Sequence, residues 1–471
     1  MAEAVDQNDK QTGGEPSLHR VMGPWLLLLF IVGDILGTGI YALTGQVAKH
    51  VGGAVWLPFL VAFVVAVLTA SSYLELVTKY PKAAGAALYA HRAFGIHFVT
   101  FIIAFAVMCS GITSASTASR AFAANFSGAF HLGLGDLGVT LVGLAFMAVI
   151  AVVNFRGVGE SVKINVVLTL VELSGLLLII GIGLWAIASG QGEPSRALTF
   201  NYSADGSAFW AVIAGTTLAF FAMVGFEDSV NMAEETQDPS RIFPKVLLTG
   251  LTITGVIYVL VSISAIALVP PEQLGEGETP LLQVVQAGAP AFPLSVFGFI
   301  TMFAVANSAL INMLMASRLI YGMSREHVLP PLLGKVHAGR RTPYIAIIFT
   351  TLLAFALIAF VGEVPALGGT TALLLLCVFT VVNVAVLVLR KDKVDHKHFR
   401  TPTAVAVLGA VCCGFLVGPW TGRDPEQYLI AAVLIGLGIV LWGVTMAINR
   451  ATGLHVVEPL AEDLGGGGAQ N

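Results

Sequence analysis

A chain of 471 residues is long enough for two or three soluble domains. Its composition excludes them: 56% of the residues are hydrophobic and 11% charged, with a mean hydropathy of +0.86, whereas a soluble protein keeps roughly a quarter of its residues charged. The net charge of −4 points to no class of partner, and no nucleic acid is expected.

The apolar residues fall into stretches of about 20 or more, enough to cross a hydrocarbon layer of about 30 Å as helix. A backbone in lipid must satisfy its own hydrogen bonds, and the alternation of barrel strands is absent, so the expected fold is all-α and multi-pass. Twelve spans are predicted, near 24–50, 54–79, 94–121, 137–154, 161–188, 208–226, 243–269, 282–323, 344–361, 366–389, 404–421 and 428–448. The first seventeen residues are polar, and the run after them is too long for a cleaved signal peptide. The eighth stretch exceeds what a bilayer needs and is expected to bend or run past the membrane.

The first span carries Gly33-Asp34-Ile35-Leu36-Gly37-Thr38-Gly39, three glycines in seven residues. Each costs a helix roughly 1 kcal/mol relative to alanine, which invites local unwinding. Five spans later comes Phe220-Phe221-Ala222-Met223-Val224-Gly225-Phe226-Glu227, a second small-residue break followed by an acid. Interrupted helices at matching places in two halves mark a transporter site at the bilayer midplane, against the plainer alternative of close packing through small residues. An opened turn offers N–H groups to a carboxylate and C=O groups to an ammonium. An α-amino acid carries both on one carbon.

Between the breaks, Met108, Ser110 and Thr113 of the third span are candidates for contact with a substrate side chain, or for ordinary packing. Glu172 lies midway along the fifth. Ionisable groups at such depth mark pathways or relays, so Glu172, Glu227 and Asp34 are the candidates for proton coupling. Glu172 has three open roles (proton carrier, cation ligand, partner of a basic group) beside that of a satisfied interhelical acid. Asp34 either meets a cationic substrate side chain or braces the turn. Asn307, Ser308 and Asn312 bring polarity to the eighth span, as core hydrogen bonds or as pocket lining. The basic run from Arg390 to Arg400 reads as a topology signal and a contact for anionic lipid. Glu234 and Glu235 read as solvated loop acids.

With both termini placed in the cytoplasm, 20 of the 24 lysines and arginines lie inside and only Lys49, Arg120, Arg196 and Arg423 outside, as the positive-inside rule requires. The expected location is a plasma or inner cell membrane. Cys109, Cys377, Cys412 and Cys413 all fall inside spans and read as buried thiols, with no metal or cofactor expected. The Gly465–Gly468 run follows no strand and makes no phosphate loop. No hydrolase or metalloprotease motif appears in the spans, so no enzyme is expected. No repeated carbonyl filter supports a channel.

In the order and spacing of its pieces the chain resembles the amino acid–polyamine–organocation superfamily, within it the cationic-amino-acid-transporter-like branch. The pieces are Gly33 to Gly45, Tyr73-Leu74-Glu75-Leu76, Pro81 to Ala86, Arg120-Ala121-Phe122, Asn154 to Val158, Phe220 to Glu227, Glu234 to Pro244 and Ser317 to Arg325. The resemblance implies a LeuT-like core of two inverted five-helix repeats, at 21–190 and 206–392. Two further helices at 402–450 and cytoplasmic tails at 1–20 and 451–471 complete it. The animal cationic transporters carry two spans more. It also implies that the amides of Thr38 and Gly39 hold the substrate carboxylate, with Gly37 allowing close approach. Carbonyls near Ile35, Phe221, Ala222 and Val224 would hold the ammonium, and Phe221 or Phe226 would cover the site. Some proton-coupled relatives carry a lysine where this chain has Glu172, and Glu75, at the end of the second span, resembles a position that pairs with a gate cation, such as Arg92 or Arg156. The expected function is alternating-access transport of an amino acid or amine, coupled to protons, with exchange, nutrient sensing and a channel as alternatives. No obligate protein partner is expected.

Overall fold

The computed structural model describes residues 22–81, 85–156, 162–200, 207–233, 236–325, 327–340 and 342–452. The N-terminal tail, the C-terminal tail from residue 453, and Glu234 with Glu235 lie outside the described residues. The first apolar stretch forms two helices, α1 (Pro24–Leu36) and α2 (Thr38–Val51), parted at Gly37. Then come α3 (Trp56–Lys79), a short α4 (Gly85–Phe94), α5 (His97–Ala129), α6 (Asp136–Arg156) and α7 (Val162–Ala188). The sixth stretch starts as α8 (Ala208–Ala219), tightens into a 3-10 turn over Phe220–Met223, and resumes as another over Asp228–Met232. The chain continues through α9 (Pro239–Leu268), two short helices α10 (Pro271–Leu274) and α11 (Pro280–Gly288), then α12 (Leu294–Arg325) and α13 (Tyr344–Phe360). It ends in α14 (Val364–Leu389), α15 (Thr403–Val417) and α16 (Pro425–Thr452).

Among the described residues, ten segments are long and apolar enough to cross a membrane, 24–51 and 208–230 counting as one each. Two of the expected twelve fall short: α13 has 17 residues and α15 has 15. The long eighth stretch exceeds a bilayer as expected, its last 32 residues alone rising about 48 Å as α12. It divides into α11 and α12, because Pro290 and Pro293 cannot continue a helix.

The core lies where α5 packs most extensively against α12 and where α1, α7 and α9 meet. Small residues bring these backbones together: a Cβ on Gly298 of α12 would overlap Ala129 of α5. Large apolar side chains face outward on the peripheral helices, Leu170, Leu177 and Leu184 of α7 among them, as a lipid-facing surface requires. Of the cysteines, Cys109 and Cys413 are buried, Cys412 half-buried and Cys377 exposed.

Glu75 pairs with neither arginine expected of it. Its carboxylate accepts from Arg390 Nε at 3.1 Å and Nη2 at 3.0 Å, and from the Thr401 amide at 2.8 Å. Arg92 instead lies over the Tyr80 ring, 4.4 Å from its centroid. Arg390 therefore binds the start of the α14–α15 connection to α3, and the reading of that arginine as a lipid contact does not hold. A buried pair broken on one side costs about 3–5 kcal/mol, so Arg390→Ala lowers the thermal unfolding midpoint of the purified protein. Lys397→Ala, at an exposed position of the same connection, leaves it unchanged.

Candidate functional site

Only one of the three clustered glycines opens the first span. Gly37, at φ −32° and ψ −152°, ends α1 and starts α2. Gly33 and Gly39 remain helical and act as contact points: a Cβ on Gly33 would overlap Thr169, and one on Gly39 would overlap Ala222. The second interruption is longer. Val224 is extended at φ −79° and ψ 163°, and Gly225 takes φ 114°, a conformation open to glycine. A Cβ on Gly225 would sit 2.8 Å from the Asp34 carbonyl oxygen. The two interruptions thus touch backbone to backbone, Gly39 on Ala222 and Gly225 on Asp34.

The amides of Thr38 and Gly39 occupy the first turn of α2, where a helix has no acceptor of its own, and no side chain caps it. The Ile35 carbonyl accepts from the Tyr258 hydroxyl of α9 at 2.5 Å, which leaves its second lone pair. Glu227 Oε2 accepts from the Gly225 amide at 2.8 Å, so this acid braces the interruption it follows.

These groups face one cavity of about 70 Å³. One water needs about 10–15 Å³, so the space holds several water-sized groups, the scale of a small zwitterion. Asp34, Ile35, Gly37, Thr38 and Gly39 line it from the first interruption, and Phe221, Val224, Glu227 and Asp228 from the second. Ser110, Gly111 and Ser114 of α5, Ser308 and Asn312 of α12, Tyr73 of α3 and Thr371 of α14 also line it, beside the start of α4 and apolar side chains such as Val107, Met315 and Leu375. Asp34 Oδ2 and Thr38 Oγ1 are buried with no hydrogen-bond partner among the described residues. Buried polar atoms are seldom left so, and both belong to residues of the cavity wall. Three of the lining residues are carboxylic acids, and none is lysine, arginine or histidine.

Other expected site residues fall elsewhere. Ala222 is the contact of Gly39 and is not part of the lining. Phe226 is fully buried in an aromatic cluster, 5.8 Å from Tyr73 and 5.3 Å from Phe379 between centroids, so of the two phenylalanines it is Phe221 that reaches the cavity. Met108 is core, and Thr113 bonds Thr371 across α14 at 2.7 Å. Asn307 is buried off the cavity with its Nδ2 unpartnered, whereas its neighbour Ser308 lines it. Glu172 is fully buried on α7, outside the lining, and neither carboxylate oxygen has a hydrogen-bond partner among the described residues. The Tyr41 hydroxyl reaches only its backbone carbonyl, at 2.8 Å. The satisfied interhelical acid considered for Glu172 is therefore not what the fold contains.

Sequence reasoning passed over Asp228, Ser114 and Thr371 in the lining. The i, i+4 spacing of Ser110 and Ser114 around Gly111 was a usable signal, since it sets three small residues on one helix face. Thr371 carried none.

The family model described as amino acid permease matches residues 22–448 of the chain. Among curated relatives, the branched-chain amino acid permease BcaP of Bacillus subtilis (strain 168) is 27% identical over 429 residues, covering 86% of this chain and 89% of the relative. A methylthioribose transporter of the same organism is 27% identical over 422 residues, covering 84% and 87%. The chloroplastic cationic amino acid transporter 9 of Arabidopsis thaliana is 26% identical over 478 residues, covering 97% and 81%. The three differ in what their names say they carry, at nearly equal distance from this chain.

Proposed function

Since the chain belongs to the amino acid permease family, we propose that it is a secondary transporter that moves amino acids by alternating access about this cavity. The observation that carries the reading is the contact of two interrupted helices over one cavity with unclaimed first-turn amides and orphaned polar atoms. The substrate carboxylate binds the amides of Thr38 and Gly39 at the positive end of α2. Its ammonium lies toward the free lone pair of the Ile35 carbonyl, with carbonyls near Phe221 and Val224 as further acceptors, Phe221 covers it, and Asp34 is left to meet a cationic side chain. Two inverted five-helix repeats, with α15 and α16 added, rock about the site, and both termini face the cytoplasm of a cell membrane.

Three acids and no basic side chain in its lining suit the cavity to a cation. That favours substrates with a second positive charge on the side chain, such as basic amino acids, and by the same acids diamines. Proton coupling is assigned to Glu172, a buried carboxyl with no hydrogen-bond partner among the described residues, because ionisable groups at membrane depth mark proton relays.

The test is uptake into proteoliposomes over a panel of amino acids and polyamines, with imposed pH or sodium gradients. Saturable, stereoselective accumulation driven by an inward proton gradient is expected. A large unitary current without saturation would overturn the transporter reading. Glu172→Gln is expected to abolish concentrative uptake while substrate counterflow persists. Unchanged accumulation and unchanged pH dependence would remove Glu172 from the coupling.

A further inference from the structure

A second concave site lies at the outer seam between α1 and α9, lined by Pro24, Trp25 and Leu28 of one helix and Lys245, Val246 and Thr249 of the other, with a volume of about 210 Å³. Its floor is apolar: Leu28 is half-buried and Val246 buried. Its rim carries Trp25, 73% exposed, and the exposed Lys245, which has no ion-pair partner among the described residues. Tryptophan and lysine together are the side chains that anchor a protein at the headgroup level. The N-terminus of α1 opens onto the same rim without a side-chain cap, so its first-turn amides add a further pull on an anion. Below the rim, Thr249 is followed on the same face of α9 by Ile253, Val256 and Leu260, exposed by 38%, 54% and 39%. The spacing of four, three and four residues keeps them on one stripe. From Thr249 to Leu260 the helix rises about 16 Å, close to half of a hydrocarbon layer of about 30 Å.

A cation and an aromatic at one end, and an apolar track one leaflet long at the other, match an amphiphile with a negative head. We propose that the α1–α9 seam binds one anionic phospholipid, its phosphate against Lys245 and the start of α1, and its acyl chain along Ile253, Val256 and Leu260. The site is separate from the transport cavity, with which it shares no lining residue.

Quenching of Trp25 by brominated lipids tests this without any transport measurement. The chain has six tryptophans, so the Trp25 signal is the difference between the wild-type protein and Trp25→Phe. In vesicles of phosphatidylcholine doped with either brominated phosphatidylglycerol or brominated phosphatidylcholine, the anionic lipid is expected to quench Trp25 at a mole fraction about fivefold lower. Lys245→Gln should erase that preference, while Lys245→Arg and Lys397→Gln retain it. Equal quenching by the two lipids in the wild-type background identifies Trp25 as an ordinary lipid-facing residue and overturns the proposal. So does a preference that survives Lys245→Gln, or one lost equally with Lys397→Gln.

Discussion

Gly39→Ala is expected to reduce uptake by more than tenfold while the protein still inserts and purifies as a folded species. The added methyl would lie 2.6 Å from the Ala222 Cβ and 2.9 Å from its amide nitrogen. Because the obstruction includes backbone, no rotamer change relieves it. Overpacking of this kind costs about 1–3 kcal/mol, which a large helical bundle survives. The damage is local: to make room, α2 must part from the 3-10 turn at Phe220–Met223, and the facing amides and carbonyls lose their mutual geometry. Gly181→Ala, where a Cβ meets nothing within 4 Å, serves as the neutral control. Gly37→Ala should fall between the two, since its nearest new neighbour is the Ser308 hydroxyl at 3.1 Å, on a side chain that can turn aside. Wild-type kinetics in Gly39→Ala would mean that contact between the interruptions does not shape the site.

The membrane helices were legible in the sequence because span length is set by bilayer thickness, a constraint external to the chain. Both interruptions were legible too, but not their form. A glycine that opens a helix and a glycine that admits a neighbouring backbone look the same in sequence, and only Gly37 of the first cluster does the former. Once the α-helix gives way to a 3-10 turn and an extended residue, the 3.6-residue period no longer says which side chain points where. Phe221 at the cavity and Phe226 in the aromatic core could not be told apart for that reason. The partner of Glu75 was missed because Arg390 lies 315 positions away, a distance over which local spacing carries no information. Pro290 and Pro293 did announce the division of the eighth stretch, and the apolar run around them concealed it. The isolation of Glu172 is tertiary altogether: it depends on what α1, α7 and α9 fail to offer it.

Asp34→Asn separates the two roles open to this residue, and the charge role predicts the larger effect. Asparagine keeps the size of the side chain and its capacity to hydrogen-bond to the opened turn, so bracing survives the change. What disappears is the negative charge behind the orphaned Oδ2 on the cavity wall. Removing one partner of a desolvated charge pair costs about 2–5 kcal/mol, and about 2 kcal/mol is a factor of roughly 30 in affinity. Competition of basic amino acids for uptake should therefore weaken about 30-fold or more in Asp34→Asn, while neutral amino acids change by less than about threefold. Glu227 and Asp228 keep the cavity acidic in the variant, which is why the loss is finite rather than complete. Unchanged uptake of both substrate groups would leave Asp34 as a brace of the interruption at Gly37, and equal losses would likewise contradict a contact reserved for basic substrates. The acid set would then say nothing about the charge of the cargo, and the preference for a second positive charge would fall with it.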